Sequence, residues 1–241
     1  MTVYLLVRGA REFLARPGEE LHTDLGVLDV PADVAAGDAV ESHLGESFTV
    51  RALRGPDLFD HLERTGAPMV PKDVGLVVGH TGASAGDRVL DAGTGTGILA
   101  TSLGRLGADV LTFESREAFA AVARENVDLA GVAERVEVRT GDVTDALSDL
   151  GTFDLVTLDT SDAADVVAAV PDHLVAGGFV AVYSPFVESA REAHRTAEDA
   201  GLVEVETLET IQRRMDFDDR GSRPTTKGIG HTGYLTFARK A

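Results

Sequence analysis

The chain contains no cysteine and no tryptophan among its 241 residues, and lysine occurs only at Lys72, Lys227 and Lys240. The lack of cysteine excludes disulfides and thiolate metal sites. No apolar run approaches the roughly 20 residues that a membrane helix needs, and early charged residues interrupt any signal-peptide pattern. We therefore expect a cytoplasmic protein that has no membrane segment and binds no metal.

Positive charge is also scarce, since the 40 Asp and Glu residues outnumber the 22 Lys and Arg residues and the formal net charge is −18. An acidic surface with so little lysine is typical of a halophilic organism, in which carboxylates keep the protein hydrated in concentrated salt. Strong negative charge argues against a nucleic-acid partner at ordinary ionic strength. That argument weakens in molar salt, where charges are screened within about 3 Å.

Turn-forming residues separate two parts of the chain. Glycine and proline recur through residues 1–65, which predicts a small β-rich N-terminal domain. From residue 66 to 241, helical and strand patterns alternate, which predicts an α/β domain built on a doubly wound sheet. Strands are expected at 109–113, 136–139, 153–158 and 179–183, and helices at 73–80, 98–106, 116–130, 162–173 and 188–200. A C-terminal antiparallel pair, 202–211 with 233–238, is expected to flank a long loop at 212–232.

A glycine-rich turn follows the apolar segment 88–90. Asp91 precedes Gly93, Gly95 and Gly97, and a helix pattern begins at Ile98. Glycine permits positive φ and lets a ligand approach the backbone, while free N–H groups at the helix start offer hydrogen bonds. Ile98 stands where a dinucleotide fingerprint needs glycine, and no Walker A lysine follows. A ligand other than a diphosphate is therefore favoured.

Acidic residues stand at the ends of four successive predicted strands, at Asp91, Glu114, Asp142 and Asp159. Glu114 lies 21 residues beyond Gly93, a position that suits a carboxylate bonded to the hydroxyls of an adenosine ribose. Asp142 could accept a hydrogen bond from an adenine amino group. Because parallel strands end at one edge of a sheet, these carboxylates predict a nucleoside-binding crevice there.

The predicted loop 212–232 carries the only concentration of positive charge, at Arg213, Arg214, Arg220, Arg223 and Lys227. Arginine suits bidentate contact with phosphate. The alternative is a solvated surface in which these residues pair with Asp216, Asp218 and Asp219.

Six motifs taken in order resemble the tRNA (adenine-N1)-methyltransferases over essentially the whole chain. They are Met69-Val70-Pro71-Lys72-Asp73, Asp91 to Gly97, Leu158-Asp159, Tyr183-Ser184-Pro185, Arg223-Pro224, and Gly230-His231-Thr232-Gly233-Tyr234-Leu235. The resemblance implies a Rossmann-like class I methyltransferase sheet with a small N-terminal β domain. It also implies a homotetramer that uses S-adenosylmethionine to methylate N1 of adenine 58, and of adenine 57 in some members, in the T-loop of tRNA.

The same resemblance assigns roles to particular residues. Asp159 and Tyr183 are expected to be catalytic, and Arg213, Arg214, Arg223 and His231 to bind the substrate. The expected cofactor-binding residues are Asp91, Gly93, Thr94, Gly95, Thr96, Gly97, Glu114, Ser115, Asp142, Val143 and Asp159. Adenine N1 has an in-plane lone pair, so no base is needed to remove a proton. A carboxylate at Asp159 would orient the adenine and stabilise the positive charge that develops on it, and Tyr183 could contact the extruded base.

The segment after Asp159 departs from the family. Thr160-Ser161-Asp162 stands where the family has a Pro-x-Pro-Trp type run, and Ala67-Pro68 replaces a glutamine ahead of Pro71. The departure favours one alternative, a methyltransferase of the same fold that acts on a small molecule or a protein carboxylate. The arginine-rich loop 212–232, called the arginine loop below, counts against this alternative. A second alternative is a non-catalytic subunit that binds RNA, and the intact cofactor motif counts against that one.

Overall fold

Alternating apolar residues build an antiparallel sheet at the N-terminus. The computed structural model describes residues 2–228 and 230–241, so Met1 and Ile229 lie outside the described residues. The strands here are β1 (Tyr4–Arg8), β2 (Arg11–Ala15), β3 (Glu20–Thr23), β4 (Gly26–Asp29), β5 (Ala39–Glu41) and β6 (Ser47–Ala52). Four of them pair in the order β2-β1-β6-β5, and β3 pairs with β4. In β6, Phe48 and Val50 are buried while their neighbours are exposed, as a sheet with one covered face requires.

Two helices lead from this sheet to the second part of the chain. Helix α1 (Gly55–His61) is followed by a connection, residues 62–70, and by α2 (Pro71–Thr81). We expected α2 to span 73–80, and it begins two residues earlier because proline at the first position loses no helical hydrogen bond. Gly82 ends it in the left-handed conformation, with φ of 71°.

A seven-stranded sheet forms the larger part of the molecule. Its elements, with the helices that connect them, are β7 (Arg88–Ala92), α3 (Ile98–Leu106), β8 (Asp109–Glu114), α4 (Glu117–Leu129), β9 (Val136–Thr140), α5 (Val143–Ala146), β10 (Phe153–Leu158), α6 (Ala163–Ala169), β11 (Leu174–Ser184), α7 (Val187–Asp199), β12 (Val203–Glu209) and β15 (Tyr234–Arg239). The strand order is β12-β15-β11-β10-β7-β8-β9. Strands β7 to β11 run parallel, and β15 is antiparallel to both of its neighbours. The predicted α/β class is confirmed, and the switch in strand order between β7 and β10 marks the crevice where such sheets bind ligands.

Three expected boundaries were wrong for local reasons. The helix expected at 162–173 is α6 followed by a 3-10 turn, Val170–His173, because Pro171 has no N–H to donate to an α-helical bond. The strand expected at 179–183 is β11, which begins at Leu174 because its backbone continues through Gly177 and Gly178. The loop 212–232 contains a two-stranded hairpin, β13 (Met215–Asp218) with β14 (Gly221–Pro224).

One apolar cluster crosses the expected domain boundary. Leu5 and Val7 of β1 pack in the same buried cluster as Val77 of α2 and Leu103 of α3. Leu6, which points to the other face of β1, packs with Phe48 in a separate N-terminal core. The division at residue 65 stays a prediction, because the N-terminal sheet shares its second face with the larger part of the molecule.

Candidate functional site

The glycine turn brings the backbone of two strand ends into contact. Gly93, Gly95 and Gly97 have φ values of 92°, 52° and 79°, in the left-handed region that favours glycine. A Cβ at Gly93 would overlap the backbone carbonyl group of Asp159 and would lie 2.6 Å from its carbon atom. Glycine is therefore required at position 93 by close approach as well as by φ.

Asp91 lies buried between two threonines on the neighbouring strands. Its carboxylate accepts hydrogen bonds from Thr112 Oγ1 at 2.6 Å and from Thr157 Oγ1 at 2.5 Å. Burial raises the pKa of Asp91, the two hydroxyl bonds oppose that rise, and the charge of Glu114 adds to it. Since Thr112 donates to Asp91, the hydroxyl of Thr94 donates to Thr112, at 2.5 Å. Asp91 is thus held rigidly beneath the turn.

Neither threonine is among the predicted site residues, although the sequence contains a signal for them. Thr112 and Thr157 each lie two residues before an acid that ends its strand, Glu114 and Asp159. Residues two apart on a strand share a face. A polar residue at that spacing inside an otherwise apolar strand indicates a buried partner at the same edge.

Glu114 is oriented by the turn that faces it. Its carboxylate is buried, and one oxygen accepts from the N–H of Gly95 at 3.0 Å while the other accepts from the N–H of Arg116 at 3.1 Å. The oxygen bonded to the N–H of Arg116 also accepts from Arg116 Nε at 3.4 Å, whereas the oxygen bonded to Gly95 keeps a second lone-pair site. Glu114 can therefore accept further hydrogen bonds from the hydroxyls of a bound ribose.

Asp142 has a structural role at the start of α5. It caps α5, accepting from the backbone N–H of Thr144 at 2.8 Å and from its hydroxyl at 2.7 Å. These bonds lower the pKa of Asp142, so it is ionised at neutral pH. Next to it, Val143 is buried and Ser115 is exposed, and all three residues line one cavity.

Two adjoining cavities meet at Asp159. The first, of about 230 Å³, lies between the glycine turn and the connection 62–70, and the second, of about 310 Å³, lies above the ends of β8 and β9. They share Gly93, Glu114, Arg116 and Asp159. The first cavity is also lined by residues that were not predicted to belong to the site: Thr65, Gly66, Ala67, Pro68, Met69, Ile98, Leu99, Arg116 and Phe119. A long ligand with a nucleoside at one end fits this shape and donor set.

Asp159 follows directly after β10, and its N–H donates to the carbonyl of Ala92 at 2.8 Å. Its side chain is exposed to both cavities, although protein atoms surround it on the remaining sides. This desolvation, together with the negative charge of Asp91, raises the pKa of Asp159 to about 7. Solvent in the cavities moderates the shift, and a bound cation would favour the carboxylate.

Tyr183 lies beside Asp159 in the sheet, because Leu158 pairs with Val182 in the parallel register. Its hydroxyl donates to the carbonyl of Thr232 at 2.6 Å. It does not line either cavity. Burial raises the pKa of Tyr183, and the charges of Asp73 and Asp159 add to the rise.

A buried ion pair fixes Thr232 in turn. Lys72 Nζ lies 2.5 Å from Asp73, and both side chains are almost fully buried. The hydroxyl of Thr232 donates to Asp73 at 3.0 Å and accepts from Lys72 at 2.8 Å. The first of the six motifs, which ends in this lysine and aspartate, is thereby joined to the C-terminal Gly-His-Thr-Gly motif, although about 160 residues separate them.

The predicted substrate-binding residues lie outside the two cavities. His231 is exposed, and its ring nitrogens lie 2.6 Å from Glu209 Oε1 and 3.2 Å from the carbonyl of Pro185. Hydrogen bonding to Glu209 and then to Pro185 raises the pKa of His231. The arginines Arg213, Arg214 and Arg223 are all exposed on or beside the β13–β14 hairpin.

Two remaining expectations concern metal ions and membranes. Within residues 2–228 and 230–241, no group of three or more His, Asp or Glu side chains is arranged to hold a metal ion. Among the helices of that same part of the chain, none has the length and apolar character needed to cross a membrane.

The fold and the cleft together define a Rossmann-like methyltransferase. The family model of the tRNA methyltransferase complex GCD14 subunit matches residues 60–221, more than half of the chain. The chain belongs to this family, and S-adenosylmethionine is its methyl donor. The predictions of the family, of the enzyme class and of the cofactor are confirmed.

Similar proteins extend over nearly the full length. The chain is 29% identical to the tRNA (adenine(57)-N(1)/adenine(58)-N(1))-methyltransferase TrmI of Methanocaldococcus jannaschii, over 96% of this chain and 92% of that protein. It is 28% identical to a tRNA (adenine(58)-N(1))-methyltransferase TrmI of Thermus thermophilus, over 97% and 94% of the two chains. A SAM-dependent O-methyltransferase from Thermotoga maritima has a similar structure, with a TM-score of 0.82 and 25% identity over 100% of this chain and 93% of that one.

Proposed function

We propose that this enzyme transfers a methyl group from S-adenosylmethionine to N1 of adenine 58 in the T-loop of tRNA, and to adenine 57 as well. The names and coverage of the two TrmI relatives support this target. The observation that carries the proposal is the position of Asp159, which lies where the two cavities of the cofactor cleft meet and beside Tyr183.

The cleft holds the methyl donor through groups already oriented in the free chain. Glu114 would accept from the ribose hydroxyls, Asp142 from the adenine amino group, and the N–H groups of the glycine turn would contact the amino-acid end. When bound, S-adenosylmethionine supplies an electrophilic methyl group on a positively charged sulfur. The backbone of Asp159 lies so close to Gly93 that no Cβ fits there. This close contact places Asp159 against the glycine turn and supports the assignment of the cleft to the methyl donor.

Asp159 acts on the adenine as a carboxylate. It accepts a hydrogen bond from the exocyclic amino group, which orients N1 for attack, and its charge stabilises the positive charge that develops on the ring. No proton has to leave N1 before the attack. A raised pKa follows from the desolvated position that makes the carboxylate effective, and a cationic ligand nearby returns it to the ionised form.

Tyr183 contacts the base through its ring. Its hydroxyl is already engaged with the carbonyl of Thr232, so we assign it no proton transfer. A tyrosine ring provides a flat surface for an adenine that has left its stack.

The arginine loop contacts the phosphates of tRNA. It leaves β12 after Glu209 and returns at Tyr234, and these two residues pair with each other. Tyr234 also pairs with Ser184 of β11, the strand that carries Tyr183. The loop therefore starts and ends at the sheet edge that holds Asp159. It extends from the side where the RNA must enter, and it carries Arg213, Arg214, Arg223 and His231.

We further propose that the enzyme works as a homotetramer in a cytoplasm of high salt.

The test is a methyl-transfer assay in molar KCl with labelled S-adenosylmethionine and unmodified tRNA, in which the product nucleosides are resolved by mass. We expect 1-methyladenosine, lost when adenines 57 and 58 are both replaced. Asp159→Ala should lower kcat by about a hundred- to a thousandfold, a typical cost of losing one electrostatic stabiliser, while the affinity for S-adenosylmethionine stays within about tenfold. Turnover retained in Asp159→Ala would refute its role.

A second candidate is transfer to an oxygen acceptor, a small molecule or a protein carboxylate. The activity named for the Thermotoga maritima neighbour and the Thr160-Ser161 sequence after Asp159 favour it. It predicts that wild-type enzyme binds S-adenosylmethionine but transfers no label to RNA.

A further inference from the structure

The chain contains a single asparagine, Asn126, and it is buried at 2% exposure on α4. Its side-chain amide joins two backbone segments that lie far apart in sequence. Nδ2 donates to the carbonyls of Glu63 and of Thr96, both at 2.8 Å, and Oδ1 accepts from the N–H of Glu63 at 3.0 Å. Two carbonyls and one N–H can be satisfied together only by an amide, which also fixes which end of the side chain is nitrogen.

The two segments are opposite walls of the first cavity. Thr96 belongs to the glycine turn, and Glu63 begins the stretch that leads to residues 65–69, which line the cavity on the other side. Thr65 confirms how close the walls are, since its N–H lies 3.5 Å from Thr96 Oγ1. Asn126 therefore sets the separation between them at one end.

Few other contacts hold this wall. Within residues 2–228 and 230–241, no backbone–backbone hydrogen bond outside regular elements involves residues 63–69. Leu62 and Met69 are buried at the two ends, whereas Glu63, Arg64, Gly66 and Ala67 are exposed. Between its buried ends, this connection is held by the three bonds of Asn126, by the Thr65–Thr96 bond and by the Arg64 guanidinium, which donates to the carbonyl of Phe59 at 2.8 Å. Asn126 makes three of these five bonds, so the position of the connection depends on that side chain more than on any other.

We propose that Asn126 is a positioning residue for the methyl donor, which acts by holding the 63–69 wall against the glycine turn. The inference rests on the proposed use of the cleft for S-adenosylmethionine and adds a residue that does not touch the ligand itself. Its effect is specific to the first cavity, because no hydrogen bond or ion pair within residues 2–228 and 230–241 joins Glu63 or Thr96 to the loop 212–232.

The test compares two substitutions at this position in the full-length protein. Asn126→Asp keeps the shape but turns a carboxylate oxygen toward two carbonyls, and Asn126→Ala removes all three bonds. We expect the Kd for S-adenosylhomocysteine, measured by calorimetry, to rise about 10- to 100-fold in both. The Kd for tRNA should stay within about twofold, and kcat at saturating S-adenosylmethionine should stay within about threefold.

Thr207→Val is the matched control. The Thr207 hydroxyl also makes two side-chain hydrogen bonds, to His194 and Thr236, but it lies on β12 away from both cavities. It should destabilise the fold to a similar degree and leave the Kd for S-adenosylhomocysteine unchanged. An unchanged Kd in folded Asn126 variants, or an equal rise in Thr207→Val, would overturn the proposal.

A measurement on the wild-type chain decides the matter if neither Asn126 variant folds. Hydrogen exchange of the amides at residues 63–69 should slow when S-adenosylhomocysteine binds, and unchanged exchange would contradict the proposal. Neither measurement uses RNA as acceptor, so a failure to methylate tRNA alongside Asn126-dependent binding would refute the proposed target alone.

Discussion

The cleft and the arginine loop differ in how much of their geometry the chain itself determines. In the cleft, Asp91 and Glu114 are buried, and they accept two and three hydrogen bonds respectively. In the loop, every residue of β13 and β14 is exposed, including Phe217 at 77%. An isolated two-stranded hairpin is marginally stable in water. The cleft is therefore organised before its ligand arrives. The conformation of the loop, in contrast, depends on the strands at its base and on the molecules that it contacts.

Gly93→Ala should have the largest effect on cofactor binding, because the new Cβ would overlap the carbonyl of Asp159. We expect S-adenosylhomocysteine binding to fall by more than about a hundredfold and stability by about 1–3 kcal/mol. Gly221→Ala is the counterpart in the loop, since Gly221 also has positive φ, at 132°, but no atom of the described residues beyond its chain neighbours lies within 4 Å of the added Cβ. Calorimetry should show unchanged binding in Gly221→Ala, and equal losses in the two variants would remove the distinction between the regions.

The pH dependence of the reaction should come from Asp159, a residue of the cleft. The pKa of Asp159 in the free enzyme is raised to about 7, and the proposed mechanism needs its carboxylate, so kcat/KM for S-adenosylmethionine should rise about tenfold per pH unit below pH 7 and level off above it. The folded chain also binds this proton more tightly than the unfolded chain, so stability from this group falls as pH rises from 3.8 to about 7.

Asp159→Asn separates these effects. The kcat/KM of this variant should be low and independent of pH. Its melting temperature should exceed that of wild type at pH 8 but not at pH 4. A wild-type profile that stays flat between pH 5 and 8 would show that desolvation of Asp159 is weaker than its surroundings indicate.

The double change Arg213→Ala with Arg214→Ala should act only on the loop side. We expect the KM for tRNA to rise about tenfold and its salt dependence to weaken, because two phosphate contacts are lost. The control is Arg135→Ala with Arg139→Ala, which removes the same charge from exposed ion pairs at β9, the outermost strand on the side of the sheet opposite β12. It should change the KM for tRNA by less than about twofold. Equal effects of the two double variants would mean that net charge, and not the loop, determines tRNA binding.

The sequence predicted the cleft better than the loop for a physical reason. Strand 153–158 and helix 98–106 were predicted with the bounds observed, because each combines a clear apolar period with a glycine boundary. Parallel strands end at one edge, so acids at their ends, such as Glu114 and Asp159, could be placed together from the sequence alone.

Contacts between distant segments could not be predicted in the same way. Asn126 lies 63 residues from Glu63 and 30 from Thr96, and no local pattern marks the packing of α4 on the turn that brings them together. The β13–β14 hairpin was missed although Met215-Asp216-Phe217-Asp218 alternates, because four residues are too few to separate a strand from a charged loop.

Phe217→Ser should have the smallest effect, and it tests whether the hairpin is truly uncovered. A side chain at 77% exposure contributes little packing, so the free energy of unfolding should change by less than about 0.5 kcal/mol. The measurement is thermal melting at two protein concentrations, with Phe48→Ser, buried at 0%, as the change that must lower the melting temperature. A large loss in Phe217→Ser, together with a wild-type melting temperature that rises with concentration, would mean that a second copy of the chain covers the hairpin. The loop would then be organised by assembly, and its contrast with the cleft would hold only for the isolated subunit.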